Sequence, residues 1–263
     1  IMNYFTTIVL AVASFYVLLL TIVFFFQRSL LYHPSIDNYL KDHVKSELTE
    51  IEKVTISTDD KIDLVGWFYN NNLEKFKTIL FFHGNAGSLE NRIYKLNHYK
   101  DLNVNFLIIA WRGFSGNKGK PSEKGLYEDA KGAIKWLKNK GINEQNIVLY
   151  GESLGTGVAV EIAQKKNYAG IILESPFTSM INMGEKYYPF FPVRFLLKDK
   201  FESYKKINKI FVPVLIIHGK VDKIVPYDMG QKMYELANEP KFFYSQEYGD
   251  HMVEYDEKLL LAL

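Results

Sequence analysis

Hydrophobic and polar positions divide the chain into three regions. Residues 4–26 (YFTTIVLAVASFYVLLLTIVFFF) contain no charged side chain. As a helix they would span about 34 Å, which is enough to cross a hydrocarbon core of about 30 Å. Residues 33–50 are polar and mixed, and short apolar runs alternate with amphipathic ones after residue 51. We therefore predict a membrane anchor over residues 1–30, a connector over 31–50 and one domain over 51–263.

A cleaved signal peptide is the alternative interpretation of the apolar segment. It fits poorly, because no basic region precedes the segment, the segment is too long and no small-x-small cleavage site follows. Arg28, Lys41 and Lys45 follow the segment, and no Lys or Arg precedes it. The positive-inside rule then favours a cytoplasmic location for the domain.

The pattern after residue 51 predicts a sheet covered on both sides. EKVTIST and IDLVGWFYN, joined by DDK, are typical of an antiparallel hairpin. Nearly continuous apolar runs then alternate with helical stretches, and such runs are typical of strands buried on both faces. The apolar runs are TILFFHG, VNFLIIAW, NIVLYG, GIILES, VPVLIIHG and KFFYSQE. Strands and helices in alternation predict a mostly parallel sheet, here of eight strands, with helices on both faces.

Composition and charge exclude several classes of function. Hydrophobic residues make up 48% and charged residues 24% of the chain, as in an ordinary globular protein with a sizeable core. The net charge is +2, without a long run of one sign, so no nucleic-acid-binding surface is expected. There is no cysteine, and the six histidines lack metal-ligand spacing. We expect neither a metal nor a cofactor.

The pentapeptide Gly151-Glu152-Ser153-Leu154-Gly155 is the first chemical signal. By composition alone, such a motif arises by chance in about one sequence in twenty, so its context decides. It follows a predicted strand and opens a predicted helix, which is the arrangement of a nucleophile elbow. The tight turn exposes the Ser153 hydroxyl, and the start of the helix adds positive potential beside it.

A serine nucleophile needs a base and an acid that orients the base. Asp222 follows the run VPVLIIHG, and His251 follows the last predicted strand. The order serine, acid, histidine is that of α/β hydrolases. Asp228 and Asp250 are alternative acids, although Asp228 is predicted to start a helix and Asp250 directly adjoins the histidine. We predict Ser153, Asp222 and His251 as a catalytic triad.

The loop HGNAG (83–87) also follows a predicted strand. It could offer the backbone N–H of Asn85, together with that of Leu154, as an oxyanion hole. We expect His83 to support this loop rather than to act as the base.

The chain resembles a known family in several long motifs: RSLLYHP, HGNAGS, WRGFSGNKGKPSEKGLYEDAKGAIKWL, YGESLGTGVAV, LESPFTSM, YYPFFPVRFLLKDKFESYKKI, PVLIIHGKVDKIVP and GDH. They resemble the membrane-anchored branch of α/β-hydrolase-domain serine hydrolases, and the resemblance covers nearly the whole chain. It implies an α/β-hydrolase fold and an esterase or thioesterase-like activity, with Ser153, Asp222 and His251 at the triad positions. AWRGFSGNKG and GDHMVEY depart from the commoner forms of these motifs, which weakens inference about the substrate.

These observations predict hydrolysis of carboxylic esters or thioesters through an acyl-enzyme on Ser153. An anchor in membrane lipid through residues 4–26 makes acyl lipids or acylated proteins candidate substrates. Residues 180–206, rich in aromatic and basic side chains, are either a helix–loop covering the sheet or a cap that contacts lipid headgroups. The alternatives are a peptidase of the same fold and a non-catalytic, membrane-tethered interaction domain.

Overall fold

The computed structural model describes residues 3–35, 51–99 and 102–263. The strands are β1 His33–Pro34, β2 Ile51–Ser57, β3 Asp63–Tyr69, β4 Thr78–Phe82, β5 Ala86–Gly87, β6 Asn105–Ile109, β7 Ile147–Glu152, β8 Gly170–Glu174, β9 Val214–Gly219 and β10 Lys241–Gln246. The α-helices are α1 Tyr4–Leu31, α2 Ile93–Tyr99, α3 Glu123–Asn139, α4 Leu154–Ala163, α5 Met180–Tyr187, α6 Val193–Leu196, α7 Tyr227–Leu236 and α8 Glu257–Ala262.

Eight of the strands form one sheet in the order β10-β9-β8-β7-β4-β6-β3-β2. β2 pairs with β3, and β3 with β6, in antiparallel fashion; the other neighbours are parallel. The predicted hairpin and the mostly parallel eight-stranded sheet are therefore confirmed. The carboxyl ends of the parallel strands meet at one edge, where the predicted site residues lie.

Two apolar cores cover the two faces of the sheet. One core includes Leu126 of α3, Val158 of α4 and Met233 of α7. The other includes Leu96 of α2 and Leu259 of α8. Strands β4, β6 and β8 are buried along their whole length, which explains why their sequences show no alternation between apolar and polar residues.

The first helix, α1, contains the whole predicted span and continues to Leu31. It is long and apolar enough to cross a membrane. Most of its side chains are exposed, and Gln27 is its one buried residue. A helix that exposes so many apolar side chains needs a partner or a lipid environment.

The predicted connector contains an element that the sequence did not reveal. His33 and Pro34 (β1) pair in parallel with Ala86 and Gly87 (β5), in the loop after β4. A two-residue strand has no periodic pattern, so this pairing could not be predicted. Residues 36–50 of the connector lie outside the described residues.

The helix predicted after β4 begins only at Ile93, after a 3₁₀ turn over Leu89–Arg92.

Candidate active site

Strand β7 and helix α4 meet in a tight turn at Ser153. The backbone of Ser153 has a φ of +51°, a left-handed conformation that is strained for a residue with a side chain. A Cβ at Gly151 would lie 2.6 Å from the carbonyl oxygen of Gly155 and 2.6 Å from the Cα of Thr156, and one at Gly155 would overlap the Phe82 carbonyl at the end of β4. Both flanking glycines therefore let neighbouring backbones approach closely.

The structure brings Ser153, His251 and Asp222 into one hydrogen-bonded chain. His251 Nε2 lies 3.0 Å from Ser153 Oγ, and its Nδ1 lies 2.8 Å from Asp222 Oδ2. The other carboxylate oxygen, Asp222 Oδ1, accepts the backbone N–H groups of Ile224 at 2.8 Å and Val225 at 2.9 Å. These bonds fix the carboxylate so that it faces the imidazole.

The two alternative acids lie elsewhere. Asp250 Oδ1 accepts the backbone N–H groups of His251 at 2.8 Å and Lys223 at 3.3 Å, so it organises the loop rather than the imidazole ring. Asp228 is in the first turn of α7, exposed, and 4.0 Å from Lys186. Neither carboxylate forms a hydrogen bond with the His251 ring.

A second histidine supports Asp222. His218, at the end of β9, is fully buried, and its Nε2 lies 3.3 Å from Asp222 Oδ2 and 3.0 Å from the Val225 carbonyl oxygen. Burial tends to raise the pKa of the Asp222 carboxyl, but hydrogen bonds to His218 and His251 outweigh it and hold that pKa below its ordinary value. His218 was not among the predicted site residues; its place at the end of a strand, four residues before Asp222, was the available signal.

The loop after β4 lies against the serine turn. A Cβ at Gly84 would lie 3.5 Å from Ser153 Cβ, and the Gly84 N–H donates to Glu152 Oε1 at 3.2 Å. Among the described residues, the backbone N–H groups of Asn85 and Leu154 find no acceptor. The Asn85 side chain donates to the carbonyl oxygen of Leu31 at 2.7 Å, and the Asn85 carbonyl accepts the N–H of His33 at 2.8 Å. The end of α1 therefore holds this loop.

His83 lies under the same loop. It is fully buried, its Nδ1 lies 2.8 Å from the Gly84 carbonyl oxygen, and its Nε2 accepts the backbone N–H of Trp111 at 3.3 Å. Burial, aided by the positive charge of Arg92, lowers the pKa of His83 to about 3. A neutral imidazole that accepts through Nε2 donates through Nδ1, so His83 braces the turn that carries Asn85.

A buried cluster of four charged side chains lies at the carboxyl ends of the neighbouring strands β7 and β8. Glu152 ends β7 and Glu174 ends β8; the Lys95 ammonium lies 2.7 Å from the first carboxylate and 2.6 Å from the second. Arg92 bonds Glu152 Oε1 at 2.8 Å and the carbonyl oxygen of Ala86 at 2.8 Å. The cluster therefore ties the serine turn to the loop after β4.

Electrostatics keep Glu152 and Lys95 of this cluster ionised. Burial opposes the charge on Glu152, but Lys95 and Arg92 outweigh it and hold the pKa of its carboxyl below its ordinary value. Burial also opposes the Lys95 ammonium, and the two carboxylates raise its pKa above the ordinary value. None of these four side chains was among the predicted site residues, because charged side chains are usually at the surface.

Within the described ranges, no group of three or more His, Asp and Glu side chains is placed to hold a metal ion. The chemical groups at the edge of the sheet are a hydroxyl, an imidazole, a buried carboxylate and two unpaired backbone N–H groups. This set can perform nucleophilic acyl transfer.

Comparison with known proteins identifies the family. The sequence model of the prolyl oligopeptidase family matches residues 116–247, and that of the Chlamydia CHLPS protein family (DUF818) matches residues 6–171. The chain is 35% identical over 224 residues to the uncharacterised protein MT2364 of Mycobacterium tuberculosis, with 84% of this chain and 79% of that protein covered. It is 32% identical over 195 residues to the lysophosphatidylserine lipase ABHD12 of Danio rerio, with 66% and 51% covered.

Among solved structures, the Pyrococcus furiosus esterase Pf2001 superposes with a TM-score of 0.65 at 21% identity, over 84% of this chain and 91% of that chain. The sheet order, the turn at Ser153 and these matches together show that the chain belongs to the α/β-hydrolase superfamily, in its branch of membrane-anchored α/β-hydrolase-domain proteins.

Proposed function

We propose that the protein is a serine hydrolase that cleaves carboxylic esters or thioesters through an acyl-enzyme on Ser153. The observation that carries the proposal is the continuous chain of hydrogen bonds from Asp222 through His251 to the Ser153 hydroxyl, at 2.8 Å and 3.0 Å. Nucleophile, base and orienting acid are at the distances that general-base activation of a serine requires.

In the proposed reaction, His251 Nε2 takes the proton of Ser153 as the hydroxyl oxygen attacks the acyl carbonyl. The N–H groups of Asn85 and Leu154 donate to the oxyanion that forms. Asp222 holds the Nδ1–H of His251 and stabilises the imidazolium. His251 then gives its proton to the leaving alcohol or thiol. A water molecule, activated by the same imidazole, releases the acid and restores Ser153.

The proposed substrates are acyl lipids or acylated proteins. The Danio rerio relative is named a lysophosphatidylserine lipase, which supports an ester bond as the target. Helix α1 is long and apolar enough to hold the active site at a bilayer. A chain-length series of acyl esters and thioesters tests this choice, and strict preference for acetyl groups would count against a lipid.

The assignment of Ser153 is tested by replacing it with alanine. Ser153→Ala should lower the kcat for a nitrophenyl ester by a factor on the order of 10⁶, the loss seen when other Ser–His–Asp enzymes lose the nucleophile. Ser57→Ala, at an exposed position of β2, is the matched control and should keep the activity of the unmodified chain. Unchanged turnover by purified Ser153→Ala would refute the assignment.

Peptidase activity is the second candidate, because the prolyl oligopeptidase family model matches residues 116–247. Peptidyl nitroanilides assayed beside nitrophenyl esters separate the two activities. A fluorophosphonate probe separates both from a non-catalytic interaction domain, because only an activated serine reacts with it.

We also propose that α1 spans the membrane and that the domain after it is cytoplasmic, since Arg28, Lys41 and Lys45 follow the apolar segment. The chain has no cysteine, so Tyr248→Cys, at a position that is 90% exposed, provides a single thiol. In sealed inverted vesicles from the host cell, a membrane-impermeant thiol reagent should label this variant. Labelling only of intact cells from outside would reverse the orientation.

A further inference from the structure

A group of exposed aromatic side chains lies outside the active site, on residues 187–197 (YYPFFPVRFLL), which we call the aromatic segment. Tyr188 is 62% exposed, Phe190 is 85% exposed and Phe195 is 86% exposed. Single exposed apolar residues are ordinary on a protein surface, but a contiguous group indicates a partner or a membrane.

The aromatic segment and the residues that follow it lie lengthwise along α1. The Tyr16 hydroxyl donates to the carbonyl oxygen of Phe190 at 2.6 Å. The buried Gln27 donates to the carbonyl oxygen of Leu196 at 3.0 Å. Asp199, just beyond the segment, forms an ion pair with Arg28 of α1 at 2.8 Å. Along the helix axis, Tyr16 and Arg28 are about 18 Å apart at about 1.5 Å per residue. The contacts therefore extend far along the apolar part of α1.

The length of α1 sets the depth of these contacts. A hydrocarbon core of about 30 Å takes up about 20 helical residues, and residues 4–26 leave little choice of which ones. Whether the core covers the first or the last 20 or so of these residues, Tyr16 lies about 10–15 Å inside the membrane boundary that is nearer to Arg28. If α1 spans the bilayer, Phe190, which is bonded to Tyr16, lies at the same depth.

The backbone of the aromatic segment meets the requirement for such a location. In hydrocarbon, each backbone polar group must find a partner within the protein. The N–H groups of six residues of the segment donate to carbonyl oxygens between Gly184 and Val193; these residues are Tyr188, Phe191, Val193, Phe195, Leu196 and Leu197. Pro189 and Pro192 carry no N–H. Few backbone donors of the segment therefore remain to be hydrated.

The charges near the segment are also compatible with lipid. Arg194 is the one charged residue between Tyr187 and Leu197. Its guanidinium lies 3.3 Å from Glu185, and its long apolar stem lets the charge reach toward the headgroups. The Lys198 ammonium, directly after the segment, lies 4.2 Å from the centre of the Phe24 ring, one helical turn before Arg28 in α1.

We propose that the aromatic segment is a second membrane-embedded element, which enters the hydrocarbon beside α1 and places Phe190 and Phe195 among the acyl chains. The proposal rests on the proposed spanning state of α1 but not on the chemistry of Ser153. The segment is also tied to the active-site loop, since the Tyr187 hydroxyl donates to the carbonyl oxygen of Ile224, two residues after Asp222, at 2.9 Å.

The test measures depth with the full chain in phosphatidylcholine vesicles. Single cysteines at Phe190→Cys and Phe195→Cys carry an environment-sensitive nitrobenzoxadiazole label; both native side chains are largely exposed, so neither change opens a core. Val12→Cys in α1, 63% exposed, is the lipid control, and Tyr248→Cys is the water control. Thermal unfolding of each variant checks that it is folded.

At 190 and 195 we expect blue-shifted emission that is quenched by lipids brominated on the acyl chain, as at position 12, while position 248 is quenched only by aqueous iodide. Iodide quenching at 190 and 195, with lipid quenching at 12, would overturn the inference and leave the proposed function intact. Iodide quenching at 12 as well would overturn the spanning state of α1 and the inference with it. Fluorophosphonate labelling of the same vesicles reports separately on Ser153.

Discussion

Gly151 offers a direct test of how the serine turn is built. In Gly151→Ala, the new Cβ would lie 2.6 Å from the Gly155 carbonyl oxygen and 2.6 Å from the Thr156 Cα. Both are backbone atoms in the first turn of α4, so that turn must move by roughly 1 Å to reach ordinary contact distance. Overpacking of this kind costs about 1–3 kcal/mol of stability. A displacement of about 1 Å at the reacting groups lowers kcat/KM by a factor on the order of 10².

Urea unfolding and nitrophenyl ester turnover measure the two effects on one preparation. Gly132→Ala, in the interior of α3, is the matched control, because the atom nearest to the new Cβ would be a side-chain methyl group, that of Thr58 at 3.2 Å. Alanine also favours a helix over glycine by about 1 kcal/mol. The control should keep its kcat/KM. Gly151→Ala with the kcat/KM and unfolding midpoint of the unmodified chain would show that the turn does not need glycine.

Lys95→Met removes the cation between two buried carboxylates and should lower the free energy of unfolding by about 3–5 kcal/mol, whereas Lys131→Met at the surface should change it by less than about 0.5 kcal/mol; equal urea midpoints would contradict this account. The pKa of Glu152 lies below its ordinary value, so its contribution to stability is complete above the unfolded-state pKa of about 4.3 and is lost as the pH falls below that value. As the pH is lowered from about 5 to about 3, the urea concentration at the midpoint of unfolding should therefore decrease, and it should decrease less steeply in Glu152→Gln. The same pH dependence in both proteins would argue against this linkage. Asp222→Asn should lower kcat by a factor on the order of 10⁴, as in other triads, while Asp250→Asn should keep most of the activity; the reverse ranking would make Asp250 the orienting acid.

The sequence was sufficient to predict the sheet and the meeting of Ser153, Asp222 and His251 at its edge. Ser153 and Asp222 follow apolar runs that form mostly buried strands, and His251 follows the last predicted strand, which is half-exposed at the edge of the sheet. The sequence was insufficient for the side chains that support these three residues. Lys95 and Arg92 could not be distinguished from surface residues of a helix, since only the tertiary contacts with Glu152 and Glu174 bury them. His218 lies within an apolar run and was visible, but its bond to Asp222 depends on how the following loop turns back.

Contacts between distant parts of the chain were likewise invisible in the pattern. Arg28 and Asp199 are far apart in sequence, and neither position shows a periodicity that would indicate the other. The aromatic residues of 187–197 were evident from composition, yet their alignment along α1 requires the folded positions of both elements. Local patterns predict strands and helices; the pairing of polar groups across the fold depends on three-dimensional geometry.

The bonds between the end of α1 and the loop after β4 have a practical consequence for anyone who purifies this protein. Membrane enzymes are often made soluble by deleting the anchor. Here the Leu31 carbonyl and the His33 N–H hold both the side chain and the backbone of Asn85, and Arg28 holds Asp199. A shortened chain that begins after residue 35 would lose all three supports. Kinetics measured on it would describe a protein in which the loop after β4, with the proposed oxyanion donor Asn85, is loosened. Detergent or nanodisc preparations of the full chain are the proper reference.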